Sequence, residues 1–490
     1  MSIRAKCIDQ ALLNLVTSNS STEFAQKYLS NKFRIHSPDS IEEFKKATRT
    51  LLTTKLDEKR VVAAVSVRRF LLRENDMEDW ATFADQLTQK EMEVDFWPHY
   101  RDHTAHQALT FFLGAYLYEN LPKLQHAFKE EYANGPAKHC DSLRTGFYYQ
   151  WSTATLLHDF GYLLDVEKDQ RDSNDARRLE KLQMFFDFID AYLKDYILMV
   201  FQMGRTGQTS DEEVRALREL QHLLGHEDVK HAYTRREDFV NLGCFIGSSK
   251  IANSAKDAWE LLNRIASTKS ARFTGVFDNY FRILATHGLP TPKGALPIWD
   301  HGIASAVLFL KLSVFCWSYF DAVRDLSGVL RNFRNTSRSV VTEIVESIKK
   351  WDYSADAFHG SFLVACFAMA LHNLRHISQS ADIDRAGYTA ADKEFLKEVS
   401  KNVLPIRLSD GVVPYLLMVV DQLQDWDRYP IVRTGLHSVL NLIEASDIGL
   451  SISHDQAEFR FNRRCRTRRD AIIAELDTLV ADWKEFIYIT

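Results

Sequence analysis

The sequence predicts an all-α fold that carries one small β-hairpin near its C-terminal end. Apolar residues recur at i, i+3 and i+4 in one segment after another, and period-two alternation is confined to residues 447–461. Clear breakers divide the helical segments: Pro98, Gly135-Pro136, the run Gly288-Leu289-Pro290-Thr291-Pro292-Lys293-Gly294, and Pro430.

Taken in order, Ala11-Leu12-Leu13 with Leu15-Val16, then Val61-Val62 through Phe70-Leu71-Leu72, define an N-terminal helical region to about residue 95. Residues 96–430 form a helical middle region in this reading, and Leu109 and Leu117 bound its first strongly periodic segment. Within it, about residues 165–295 carry no chemical motif and read as a helical insertion, with a polar turn at 205–210 before a helix starting near Asp211. The apolar run 302–320 is long enough to suggest a membrane span. Lys311 in its middle and His301 at its head make it a buried core helix instead, because charge at a bilayer centre is expensive. Residues 431–490 supply the hairpin, with Ile448, Leu450 and Ile452 alternating before a Ser453-His454-Asp455 turn and Ala457, Phe459 and Phe461 alternating after it. A last helix is expected over about 466–486.

With 490 residues, 46% of them hydrophobic, the chain can bury one large core or two to three domains. A net charge of -5 argues against a general polyanion binder, so nucleic acid would need a local patch. The six cysteines are scattered without CxxC spacing, and no apolar run of signal-peptide length opens the chain, so a reducing cytoplasm is expected.

Chemistry concentrates in polar residues set inside apolar helical stretches. His103 and His106 precede the run 108–117 and share one helical face. His158-Asp159 ends an apolar segment, and an adjacent imidazole and carboxylate offer a terminal ligand and a bridging one. The competing reading is an Asp paired to an Arg beside a hydrogen-bonded core His. Asp300-His301 opens the 302–320 run, where Asp300 also suits an N-cap. His372 and His376 stand four apart, and Asp421 interrupts an apolar helix, where a buried carboxylate demands a cation, a proton or strong donors.

The ordered pattern His, His-Asp, His, His, Asp resembles the HD superfamily of metal-dependent phosphohydrolases, over about residues 96–430 and by local motifs. That resemblance implies an all-helical core in which His106, His158, Asp159 and Asp421 hold one metal ion. It further implies that Asp159, His301 and His372 hold a second. His103, Asp102, Arg375 and Arg428 become candidates beside the ligands or the substrate, as does Lys311. Asp159, Asp300 and His376 are the catalytic candidates, the last two as proton shuttles along with Asp102. Four imidazoles among six ligands favour Mn, Fe, Co, Ni or Zn over Mg. Two such ions about 3.5 to 4 Å apart can share a bridging hydroxide and clamp a phosphate under in-line attack.

The implied activity is hydrolysis of a small phosphorylated substrate, a nucleotide-type phosphoester, by a cytoplasmic enzyme with no membrane attachment. The insertion is a pocket wall, a lid, a regulatory site or a homo-oligomer contact. Tyr162 stands where the cyclic-dinucleotide phosphodiesterase branch has a lysine, and that branch's Gly-Tyr-Pro triplet is absent, so its substrate is not carried over. The same ligand set also resembles that of mixed-valent di-iron oxygenases on this fold. A non-catalytic nucleotide sensor and an HD-type nuclease are the remaining alternatives. The arginines within 460–469 form the one dense basic run, read chiefly as a solvated helix start. No Walker loop, strand-anchored GxGxxG or GxSxG elbow is present.

Overall fold

The computed structural model describes residues 6–17, 21–30, 38–55, 57–75, 77–93, 103–135, 138, 146–161, 210–216, 258–276, 301–302, 305–306, 309–310, 342, 361–373, 390–427, 443–453 and 455–490. These are mostly helical, with a small sheet. The chain divides into two compact units. One comprises Met1–Phe160, His359–His376 and Lys397–Thr490, and the other Gly161–Phe358 and Ile377–Leu396.

The first unit contains α1 (Ile8–Thr17), α2 (Pro38–Thr53), α3 (Asp57–Arg73), α4 (Glu78–Glu93), α5 (His103–Asn120), α6 (Pro122–Asn134) and α7 (Phe147–Leu157). Helix α1 shows the ordinary amphipathic solution, burying Ile8, Ala11, Leu12, Leu15 and Val16 along one stripe. Helices α5 and α7 differ, since residues on every side of them are buried. The same holds for the two later helices of this unit, spanning Leu363–Leu371 and Val412–Leu423. Counting α8 (Ala258–Lys269) of the second unit, these are α9 and α10. Helix α5 packs on α7 and α10, α9 packs on α7 and α10, and α7 touches α10. Helices α1, α3 and α6 pack against this inner group, and α2 and α4 pack on α3, which explains why the inner sequence stays apolar through full turns.

Close approach of α5 and α7 depends on Gly114. A Cβ there would lie 1.8 Å from Trp151 Cζ2, so any side chain would collide with the indole, whose Nε1 donates to the Phe111 carbonyl at 2.9 Å. Two arginines of α3 are also buried. Arg68 donates to Asp85, Thr88, the Ala84 carbonyl and Gln107, and its guanidinium lies 5.3 Å above the Phe160 ring. Arg60 donates to the Asp427 carbonyl at 2.7 Å.

The expected hairpin is present as β2 (Ile448–Ser453) and β3 (Gln456–Phe461), antiparallel, with Ile448 opposite Phe461, Leu450 opposite Phe459 and Ile452 opposite Ala457. It is the middle of a four-stranded sheet rather than an isolated pair. Strand β1 (Lys6–Cys7) adds antiparallel to β2, and β4 (Ile487–Ile489) adds parallel to β3. The last helix, α11 (Arg466–Leu479), stops before the expected 486. Val480 there forms a parallel bridge with Ile406, through Ile406 N to Leu479 O and Ala481 N to Ile406 O, both 2.8 Å. Tertiary backbone bonds replace the helical ones, and the chain turns through Asp482 at φ 55° into β4.

In the second unit, residues 211–216 are helical behind a capping box, with Ser210 N donating to Glu213 Oε2 and Glu213 N to Ser210 Oγ. Helix α8 buries Leu262 and Ala266. His301, Gly302, Ser305, Ala306, Phe309 and Leu310 are buried and helical, while the rest of 302–320, including Lys311, and most of 165–295 lie outside the described residues. No helix among the described residues is long and apolar enough to cross a membrane.

Candidate metal centre

The inner helices of the first unit deliver imidazoles and carboxylates to one point. Helix α5 brings His103 and His106 on one face, α7 ends at its C-cap His158 with Asp159 next, α9 ends at its C-cap His372, and α10 carries Asp421. The four histidines and Asp159 are buried, and Asp421 is half-buried at 17% side-chain exposure.

Asp159 sits at the centre and divides its two oxygens. Oδ1 lies 3.3 Å from His158 Nε2 and 3.6 Å from His372 Nε2, while Oδ2 lies 3.3 Å from His103 Nδ1 and 3.6 Å from His106 Nε2. Asp421 Oδ1 lies 2.9 Å from His106 Nε2 and 3.6 Å from His158 Nε2. Donor atoms held about 2.1 Å from a single ion at tetrahedral or octahedral angles stand about 3.0 to 3.4 Å apart, so the spacing suits ligands of a common cation. His106, His158 and Asp159 each offer one atom to a group spanning no more than 4.8 Å.

Hydrogen bonds on the far side of each ring determine which nitrogen is free. His158 Nδ1 donates to the Thr155 carbonyl at 2.7 Å and His372 Nδ1 to the Met369 carbonyl at 2.6 Å. A carbonyl only accepts, so the ring hydrogen is on Nδ1 and the Nε2 lone pair faces the carboxylates. His158 Nε2 is buried without a hydrogen bond. Lone pairs and anionic oxygens at this spacing repel unless a cation or proton stands among them. Both carbonyls belong to the last turns of α7 and α9, whose negative ends favour positive charge as well.

The titration behaviour has the same origin. Burial lowers the His158 imidazole despite the pull of Asp159 and Asp421. Burial alone would raise Asp159 and Asp421, but the surrounding imidazoles outweigh it and hold both well below the usual carboxylate range. For His372, burial is outweighed by Asp159 and Asp421, and the imidazole is pushed up to about 9. The pocket without a metal thus draws in a proton as its positive charge.

His301 belongs to the second unit, where its carbonyl packs against Gly161: a Cβ on Gly161 would come within 1.9 Å of that oxygen. The Gly161 amide donates to Ser305 Oγ at 2.6 Å. Asp102, Asp300, Arg375, His376 and Arg428 lie outside the described residues, as does Tyr162.

Sequence reasoning missed Gln424, fully buried and hydrogen-bonded to His106 Nδ1, although its position three residues after Asp421 was a usable signal. It also missed Arg68, which ties α3 to the neighbours of two candidate ligands, Gln107 beside His106 and Phe160 beside Asp159. The basic run is largely neutralised: Arg460 pairs with Glu458, Arg464 with Asp447, Arg468 with Asp425 and Arg469 with Asp470. A groove of about 630 Å³ between α2 and α3 contains none of the clustered residues.

No protein-family model, curated protein or solved structure matches this chain. What speaks for a metal centre is therefore the residues themselves, a buried His and Asp cluster with its ring nitrogens turned inward.

Proposed function

We propose that this protein is a metal-dependent phosphohydrolase or phosphodiesterase of HD type, acting on a small nucleotide-type phosphoester. The observation that carries the reading is the inward set of Nε2 atoms of His158 and His372 around the Asp159 carboxylate, each fixed by a backbone carbonyl behind it. In this reading His106, His158, Asp159 and Asp421 would hold one divalent transition-metal ion, and Asp159, His372 and His301 would hold the second. Support for including His301 is its position in the ordered pattern. Bound there, the ions would supply an activated water nucleophile and charge neutralisation at the phosphate.

The chain's own residues do the rest. Asp159 is the natural bridge, because its two oxygens face different imidazoles. His103, 3.3 Å from Asp159 Oδ2, orients that carboxylate from α5. Asp300, His376 and Asp102 are assigned as proton shuttles, and Arg375 and Arg428 as partners for phosphate charge. Burial of the cluster removes competing bulk water and strengthens each electrostatic contact.

The test is elemental analysis of protein purified without added metal, followed by a phosphoester screen with Mn²⁺ under air and under argon. Bound transition metal, turnover that is indifferent to O₂, and loss of both in Asp159→Ala are expected. Metal-free protein with no hydrolysis in any Mn²⁺ assay would defeat the proposal, and turnover that requires O₂ would redirect it to oxygenase chemistry.

A further inference from the structure

We infer that Gln424 is a positioning residue of the metal centre, one that makes His106 Nε2 the ligand atom by accepting the hydrogen of His106 Nδ1. This rests on the reading of the cluster as a metal site. Gln424 is fully buried, so both ends of its amide must find partners inside the protein. One end is assigned by chemistry: Gln424 Nε2 donates to the Trp426 carbonyl at 3.0 Å, and a carbonyl can only accept. The opposite end, Oε1, therefore faces His106 Nδ1 and requires a hydrogen on that nitrogen. Turning the amide over would set two acceptor oxygens against each other at Trp426.

The Trp426 carbonyl is itself held in place. Trp426 is buried and bridges Ile443, Asp427 N donates to the Ile443 carbonyl at 2.7 Å, and the Asp427 carbonyl accepts from buried Arg60. Helix α10 ends at Gln424, whose backbone N still bonds to the Val420 carbonyl at 2.8 Å while its ψ of 73° leads the chain away. The side chain is thus pinned at its root and at its tip, three residues beyond Asp421. His158 and His372 take their Nδ1 acceptors from carbonyls three residues back at their own helix ends, whereas His106, in the first turn of α5, takes a side-chain acceptor from another helix. A side chain from α10 fills that role and couples the His106 ring to the helix that carries Asp421.

The experiment is calorimetric titration of metal-free protein with Co²⁺ at fixed pH, on wild type, Gln424→Leu, Gln424→Met, Gln424→Glu, His106→Ala and the His106→Ala/Gln424→Leu pair, with unfolding midpoints measured in parallel. Gln424→Leu and Gln424→Met are expected to weaken Co²⁺ binding by about 10- to 100-fold, the usual cost of losing a partner behind a ligand. Gln424→Glu keeps an oxygen acceptor and should recover most of that loss. In the His106→Ala background, Gln424→Leu should bring no further loss, since the residue acts through His106. A purely structural role predicts the opposite, a loss that adds in full to that of His106→Ala and tracks the unfolding midpoint, and it would overturn the inference. Wild-type affinity in both apolar variants would overturn it alone, while a wild type that binds no Co²⁺ would remove the metal reading together with it.

Discussion

His158 and His372 are held by the same device: each is the C-cap of a buried helix and donates from Nδ1 to the carbonyl three residues back, with the two rings perpendicular at 4.7 Å between centroids. Two helix ends therefore aim two Nε2 atoms at Asp159, which sets the terms on which protons and cations compete. In the metal-free protein His372 is pushed up to about 9, so below that pH a cation must displace a proton. Metal affinity should rise with pH and level off near 9, by up to about tenfold per unit for the one proton released. Titrations with Co²⁺ at several pH values in two buffers of different ionisation heat check both affinity and proton release, and an affinity flat from pH 6.5 to 9 would contradict it.

Replacing Gly114 tests the packing that brings α5 to α7. Alanine normally stabilises a helix interior by about 1 kcal/mol relative to glycine. Here its Cβ would overlap the Trp151 ring, so Gly114→Ala should destabilise by about 2 kcal/mol net, in the range of overpacked cores. Urea unfolding measures this, and Trp151→Leu should make the alanine tolerable. A more stable Gly114→Ala would show that the helices are not in this contact.

Arg68 and Arg69 are neighbours in sequence with opposite expected outcomes. Arg68 is 1% exposed and Arg69 50%, and both pair with Asp85. Arg68→Ala strips donors from Thr88, Gln107 and the Ala84 carbonyl in the interior and should cost about 3 to 5 kcal/mol. Arg69→Ala should cost less than about 1 kcal/mol. Equal losses would contradict the burial difference.

Asp9 supplies a pH dependence away from the candidate metal ligands. Burial, aided by repulsion from Asp427, raises its carboxyl to about 7 against the pull of Arg60 and Lys55. Between the ordinary value of 3.8 and about 7 the folded state binds more protons than the unfolded, so stability falls as pH rises through that window and stays lower above it. Asp9→Asn should remove this loss, melting above wild type by a wider margin at pH 8 than at pH 4.5. The same margin at both would refute the assignment.

Periodicity made α1, α3 and the hairpin legible, because each buries a face whose spacing matches its own backbone geometry. The anomalous polar residues His106, His158, Asp159 and Asp421 were legible for a related reason, since nothing local stabilises them within apolar helices. Strands β1 and β4 were not, being two and three residues long and defined by partners far along the chain. The end of α11 at Leu479 was hidden likewise, because Ile406 competes for its backbone bonds.

The sequence by itself determined the helical class, the presence of the hairpin and the identity of the ligand-type residues, since each follows from side-chain pattern and local energetics. Only the tertiary structure decided how the Asp159 oxygens are shared, which nitrogen each imidazole turns inward, and that Gln424 and Arg68 stand behind the site. Those outcomes depend on hydrogen bonds and contacts between segments as many as 318 residues apart, such as that of His106 with Gln424, and no local pattern encodes their geometry.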